Sequence, residues 1–427
     1  MKSLESEKER GSTSLILRDR NFLRLWSAIT VSGVSAHIWL LAIPLIAISH
    51  FHADASQLGK LAAFQLLPVF ILTPIAGALV DSLPARMINS VCDLARGVLL
   101  FAIPILDAFG ELTLVWMYVV AAMIGSFAVV GDVAHHTMLP RVVDDEHIVA
   151  GNAAINASWS VTDVAGPGLA GVAIQIMTAP FAVIINAIGF LSSGLLISSI
   201  RMLPQPKAPR ANWLVMIKSG FMFLWRQPPL LMLGLSGGVA NLFIQAYTTI
   251  FVLYAVNGLG LEPIGIGVLY AVGALGGIAG AAVATWVAGR ISRVGALFVG
   301  NVTTGTGMIV VGSSALFDPP FQVIQAVIGV AMFSGGLGVY NVHSMSTRQQ
   351  AAPRQMLGRV TASYRLLSHG SLPLGAVVGG YTGEWIGLAW TCALAGILLT
   401  LWMCFVLVTP FRKLNELVAH PAEVEVL

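Results

Sequence analysis

The sequence predicts an all-α membrane protein: twelve transmembrane helices in two six-helix bundles, with both termini cytoplasmic. Three observations predict it. Of 427 residues 56% are hydrophobic and only 10% charged, with a mean hydropathy of +0.83, whereas soluble domains carry about 25% charged residues. The apolar runs are each about 20 residues or longer, enough for a helix rising 1.5 Å per residue to cross about 30 Å of hydrocarbon. Nearly every base falls in alternate connections between those runs.

In chain order the spans are Phe22–Ile48, Gln57–Val80, Met87–Leu106, Leu112–Leu139, His147–Met177, Pro180–Ile200, Leu230–Val256, Ile264–Gly289, Val294–Phe317, Phe321–Thr347, Met356–Gly383 and Trp385–Thr409. Connections on one side hold Arg18, Arg20, Arg86, Arg141, Arg201, Lys207, Arg210, Lys218, Arg290, Arg293, Arg348, Arg354, Arg412 and Lys413. The other side holds Asp54, Asp107, Glu111, Glu262, Asp318 and Glu384, with Lys60 the one nearby base. The positive-inside rule puts the basic side in the cytoplasm. The net charge of +3 therefore reports orientation and implies no nucleic-acid partner.

The segment 1–21 mixes Glu5, Glu7 and Glu9 with Lys2, Lys8 and Arg10 and shows no cleavable leader, so the first helix is expected to be retained. Cys92, Cys392 and Cys404 lie in or beside apolar spans with no metal-type spacing and read as small core residues. Residues 22–200 form the first bundle and 230–409 the second, followed by a tail, 410–427. Between the bundles, 201–229 opens with the proline-rich Leu203-Pro204-Gln205-Pro206 and continues through Trp213, Ile217, Phe221 and Leu224 at helical spacing. This reads as a linker followed by an amphipathic helix resting on the membrane interface, Lys218 and Arg226 toward water. An internal match supports two halves: a shift of ~209 residues lays Gly166 and Gly171 on Gly375 and Gly380.

The chain resembles transporters of the major facilitator superfamily, within the branch that contains macrolide-efflux and enterobactin-exporter proteins. The residues that carry the resemblance run from Leu17 to Pro410. Arg18-Asp19-Arg20-Asn21-Phe22 with Arg24-Leu25-Trp26 resembles the branch's entry to helix one, and Gly77-Ala78-Leu79-Val80-Asp81 with Arg86 resembles the superfamily's loop between helices two and three. Asp93-Leu94-Ala95-Arg96 resembles an acid and a base of helix three. Tyr340-Asn341-Val342, Leu357-Gly358-Arg359-Val360 and Pro373-Leu374-Gly375 resemble the text of helices ten and eleven. The resemblance implies a secondary transporter that rocks two bundles about a midplane site.

It also implies a cytoplasmic gate of Gly77, Asp81, Arg86 and Arg359, in which Asp81 accepts from the free N–H groups at the start of helix eleven. Ser82 and Pro84 depart from the family pattern; the alternative reading is that Asp81 and Arg86 simply cap and orient a tight turn. Gly166-Pro167-Gly168-Leu169-Ala170-Gly171 resembles an exporter-associated antiporter motif, with Gly166, Pro167 and Gly171 retained; ordinary small-residue packing is the competing reading.

Ionisable groups within the bilayer are functional candidates by default. Asp163, the deepest acid of helix five, and His37, in helix one, are the proton-coupling candidates; each is alternatively a satisfied structural group. Asn156 and Trp159 share the face of Asp163. Asp93 and Arg96 read as a structural pair. Arg365 and His369, four apart, offer cationic donors to an anionic or oxygen-rich substrate, unless Arg365 pairs with Asp132 or Asp163. Asn241, Gln245, Asn301, Asn341 and His343 complete the candidate cavity lining.

There is no phosphate-cradling GxxxxGK[ST] loop and no HExxH pair, so an enzyme is not expected, nor a cofactor or metal. The expected partners are a small-molecule substrate, protons and the lipid bilayer, for a monomeric protein of the cell membrane. The leading reading is proton-coupled export of a small amphiphilic molecule, a drug, siderophore or other natural product. The competing readings are a non-transporting sensor or assembly scaffold of the same fold, and an importer or facilitator of a small metabolite.

Overall fold

The computed structural model describes residues 19–135, 137–202, 213–353 and 356–419, apart from some side chains within them. The segment before residue 19, the proline-rich linker with Lys207 and Arg210, Arg354, the end of the tail and the side chain of Asp81 lie outside the described residues. Every regular element among the described residues is helical.

The first six long helices are α1 (Arg20–Phe51), α2 (Ala55–Ser82), α3 (Ala85–Ala108), α4 (Leu114–His135), α5 (Ile148–Met177) and α6 (Ala179–Ser198). A shorter α7 (Trp213–Arg226) precedes α8 (Pro228–Asn257), α9 (Pro263–Ala288), α10 (Arg293–Ser313), α11 (Phe321–Ala351), α12 (Leu357–His369), α13 (Leu372–Ile386), α14 (Leu388–Val406) and the short α15 (Leu414–Ala419). Several starts are set by local chemistry. Asp19 accepts from the Phe22 amide at 2.7 Å. Asp54 and Gln57 each accept the other's backbone N–H, at 2.8 and 3.0 Å, a reciprocal cap. Proline stands in the first turn of α6, α8 and α9, where its missing N–H is harmless.

Nine of the described helices are long and apolar enough to cross a membrane: α1, the Ala55–Thr73 part of α2, α4, α6, α8, α9, α10, α11 and α14. The other three expected spans differ for stated reasons. α3 carries Arg86, Asp93, Arg96 and Asp107, and α5 is diluted by Asn152, Asn156, Asp163 and several hydroxyls. The expected continuous span Met356–Gly383 is instead two helices, α12 and α13. Pro373 has no N–H, and its ring would clash with the carbonyl four residues earlier, that of His369. The backbone at Gly370 and Ser371 stays right-handed, so the chain kinks without turning back. Asn241 of α8 satisfies a carbonyl the kink frees, donating to Ser368 at 2.7 Å, and Ser371 ties the joint to α8 by donating to the Gly238 carbonyl at 2.6 Å.

The internal repeat is visible in the backbone. Shifted by ~209 residues, the starts of α1 to α6 fall within about two residues of those of α8, α9, α10, α11, α12 and α14. The joints agree too. Thr178, between α5 and α6, has φ 66° and ψ 157°, and Gly387, its counterpart between α13 and α14, has φ 90° and ψ 155°. This region is nearly closed to side chains, so glycine fits it and Thr178 is strained there.

The chain forms two compact units, Met1–Ala47 with Leu67–Ala211, and Ile48–Leu66 with Asn212–Leu427. The division departs from the two chain halves because the start of α2 belongs to the second unit. Gly59 there lies on Gly380 and the Ala376 carbonyl of α13, an approach any side chain would block. In the first unit one core gathers Phe22, Leu25, Ile88, Met138, Leu139, Ile155 and Ile197. In the second, Leu230, Leu233, Leu297, Val360, Tyr364 and Phe411 form the corresponding core. Helix α7 docks one face on protein. Phe223 and Leu224 are buried in that second core, and bare Gly220 abuts the Arg359 carbonyl and Ser363 of α12. Lys218, Trp225 and Arg226 remain exposed, which keeps its outer face amphipathic.

Candidate proton and substrate site

Helix α5 presents small residues at every fourth position, Ala154, Ser158, Thr162 and Gly166, and α1 lies along that stripe. Trp26 Nε1 donates to Ser158 Oγ at 2.7 Å, and Gly33 faces Thr162. One turn further, the space a Gly166 Cβ would occupy is taken by the His37 ring, with Cδ2 at 2.5 Å and Cγ at 2.7 Å from it. On the other side of α1, Ser35 fills the space left by Gly189 of α6. Helix α1 is thus wedged between α5 and α6 by side chains that fit only glycine.

This seating brings the two proton-coupling candidates together. His37 Nε2 lies 3.2 Å from Asp163 Oδ1. The histidine side chain is 18% exposed and the carboxylate 63%, so the pair is closed toward α1 and open at the acid. With Nε2 protonated, the imidazole donates to the carboxylate. A second proton on Nδ1 makes the contact a charge-assisted bond, so the pair can accept a proton without needing a further counter-ion. Asn156 is exposed on the same helix, and Trp159 is half-buried beside His135, with ring centroids 6.1 Å apart.

The Asp93 carboxylate is buried between α3 and α6. It takes the Arg96 guanidinium on one oxygen and the Ser193 hydroxyl on the other at 2.6 Å, while Arg96 lies over the Phe190 ring at 4.2 Å. Arg86 donates to the Ile200 carbonyl at 2.8 Å and so caps the end of α6. Gly77 is half-buried with open space where a Cβ would be, and Arg359 is exposed. Pro167 and Gly171 are buried on α5.

In the second unit the candidate lining separates into two groups. Asn301 is fully buried and donates to the Met403 sulfur at 3.3 Å; His343 is buried with Nε2 3.0 Å from the Ala284 carbonyl. Both are enclosed in helix-to-helix seams and present no face to a ligand, contrary to expectation, although Asn301 Oδ1 is buried there without a partner. Asn241 holds the kink, and Gln245 donates to Thr249 at 3.0 Å. Asn341, Arg365 and His369 are exposed.

Sequence reasoning named His37 and Asp163 separately and missed that they touch; the signal was the four-residue spacing of small residues on α5. It treated Arg348 only as a topology marker. Arg348 in fact lies over the Tyr364 ring at 3.8 Å and donates to the Ser344 carbonyl.

Comparison with known proteins places this helical architecture in a family. A family model described as Major Facilitator Superfamily matches residues 25–373. The chain belongs to the major facilitator superfamily. It is therefore a transporter and not an enzyme, a multi-pass membrane protein acting on a small-molecule substrate. The multidrug efflux pump Tap of Mycolicibacterium fortuitum is 27% identical over 378 residues, 86% of this chain and 90% of that protein. The enterobactin exporter EntS of Salmonella typhimurium is 23% identical over 374 residues, 87% of each. Among solved structures, a bacterial homologue of the iron transporter ferroportin in an inward-facing state matches with TM-score 0.73 at 15% identity, covering 91% of this chain and 98% of that one. The nucleoside transporter NupG matches with TM-score 0.73 at 12% identity, covering 91% and 99%. These structures share the fold.

Proposed function

We propose that this chain is a proton-coupled exporter of a small amphiphilic molecule, with twelve spans counting α12 and α13 as one, both termini cytoplasmic, acting as a monomer in the plasma membrane. The observation that carries the reading is the His37–Asp163 contact in the seam of α1 and α5. A carboxylate open to solvent and a largely enclosed imidazole at hydrogen-bond distance make a site where proton uptake changes the charge of a helix seam. In alternating access such a change biases which side is open, provided proton and substrate favour different states. Export is supported by the efflux pump and the exporter among its relatives. Gly77, Asp81, Arg86 and Arg359 are the cytoplasmic gate in this reading, with Arg86 anchored on α6. Asp93 and Arg96 hold α3 to α6 and take no part in transport.

The test is transport in proteoliposomes of one orientation, with a pH gradient imposed in either sense. Substrate should move against its gradient toward the acidic compartment, in exchange for protons. Accumulation toward the alkaline compartment would identify proton symport, and equilibration unaffected by the gradient would identify a facilitator.

A further inference from the structure

We infer that Arg348, Arg365 and His369 form a seat for an anionic group of the transported molecule, so that the substrate is an amphiphile carrying a carboxylate, sulfonate or comparable anion. The inference rests on the transporter reading and specifies its substrate class.

Three cationic or ionisable side chains converge where α11 ends and α12 approaches its kink. Arg348 is laid flat on Tyr364, the residue preceding Arg365, which fixes its guanidinium beside α12. Arg365 and His369 stand four residues apart on one face of α12, and the Arg348 guanidinium rests on the residue next to Arg365. Ser368 Oγ lies 2.8 Å from His369 Nδ1. Arg365 and His369 are exposed although they lie about 12 and 18 Å along α12 from its start.

Among the described residues these groups form no ion pair. The described acids of the second unit do not supply one from within. Asp54, Glu262, Asp318 and Glu384 lie at the opposite end of its helices, and Glu416 is exposed on α15. The first unit treats its own interior charges differently, since Arg96 has Asp93 and Asp163 has His37. Arg365 lies within the expected span Met356–Gly383, where an uncompensated cation is costly. An anion arriving with the substrate removes that cost, and the planar guanidinium offers paired donors to a carboxylate or sulfonate. The kink contributes by fixing His369: Asn241 and Ser371 hold the Ser368 carbonyl and so the final turn of α12.

The experiment uses the full chain in phosphatidylcholine nanodiscs and two naphthalene probes of similar size, anionic 1-anilinonaphthalene-8-sulfonate and neutral N-phenyl-1-naphthylamine. Arg365→Gln and Arg348→Gln should each weaken the sulfonate by about tenfold or more and the neutral probe by less than about twofold, with Arg365→Lys intermediate. Retained neutral-probe binding shows that the variants are folded. Equal weakening of both probes, no weakening of either, or a wild-type protein that does not bind the sulfonate would overturn the seat. Displacement of the sulfonate by phosphatidylglycerol in the disc, dependent on Arg365, would also overturn it and assign the cluster to a lipid headgroup. Proteoliposomes separate the two ideas: discrimination between the probes without any coupled flux would leave the seat standing and sink the proton-coupled reading.

Discussion

The seam of α1 on α5 and its repeat counterpart, α8 on α12 and α13, follow one backbone plan and fill it differently. In the first, Gly166 yields its space to an imidazole; in the second, the matching Gly375 yields its space to the backbone of Leu242, and Gly379 to that of Ala246. The position matching His37 is Ala246, and the one matching Asp163 is Leu372 at the kink. Glycine therefore does two jobs in the same register, making room for chemistry in one unit and bringing backbones into contact in the other. The ionisable groups differ accordingly. In the first unit Arg96 is paired with Asp93, whereas in the second Arg348 and Arg365 form no ion pair among the described residues.

The comparison can be broken by adding a methyl group to each seam. Gly375→Ala and Gly379→Ala place a carbon against backbone that cannot swing aside, so each should destabilise the fold by about 1–3 kcal/mol. Reaction of buried Cys92 and Cys392 with a thiol dye on heating, in a Cys404→Ser background, measures this as a lowered midpoint. Unchanged midpoints would show that the second seam is looser than described.

The strained joint gives the next largest effect and sharpens the repeat. Thr178→Gly removes about 1–3 kcal/mol of backbone strain and adds about 0.5–1 kcal/mol of chain entropy on unfolding, for a net gain of about 1 kcal/mol. Gly387→Thr should lose a similar amount, and the same thermal assay reads both. A destabilised Thr178→Gly would mean that the threonine side chain supports this joint in a way its backbone angles do not reveal.

Gly166→Ala should have the smallest effect on stability, about 1 kcal/mol, because the nearest obstacle is an imidazole ring that can rotate, leaving His37 Cβ at 3.0 Å to give slightly. Its effect should appear in function: the imidazole is pushed off Asp163, and pH-driven accumulation falls while the protein remains folded. Normal accumulation in this variant would detach the glycine from the coupling site.

The fold was legible in this sequence because hydrophobic runs and alternating positive charge are strong, local signals. The kink at Pro373 was legible in principle and was overlooked, since the apolar text continues through it. The roles of single polar residues were not legible. Asn301 and His343 read the same as Asn341 in sequence, and only packing decides that the first two close seams while the third is exposed. His37 and Asp163 are 126 residues apart, and no local pattern names one helix as the other's neighbour. Small residues at every fourth position of α5 announced a close helix contact, but not which helix would make it.

The claim on which the account stands is that the His37–Asp163 pair carries the coupled proton. It is tested most directly by loading proteoliposomes with a pH-sensitive dye and following proton movement when an outward substrate gradient is imposed, in parallel with substrate exchange at equal pH. Wild type should move protons opposite to substrate. Asp163→Asn should keep exchange, because the asparagine preserves size and a hydrogen bond to His37, yet move no protons. Proton movement of normal size in Asp163→Asn would contradict the account and place the coupling site elsewhere in the chain.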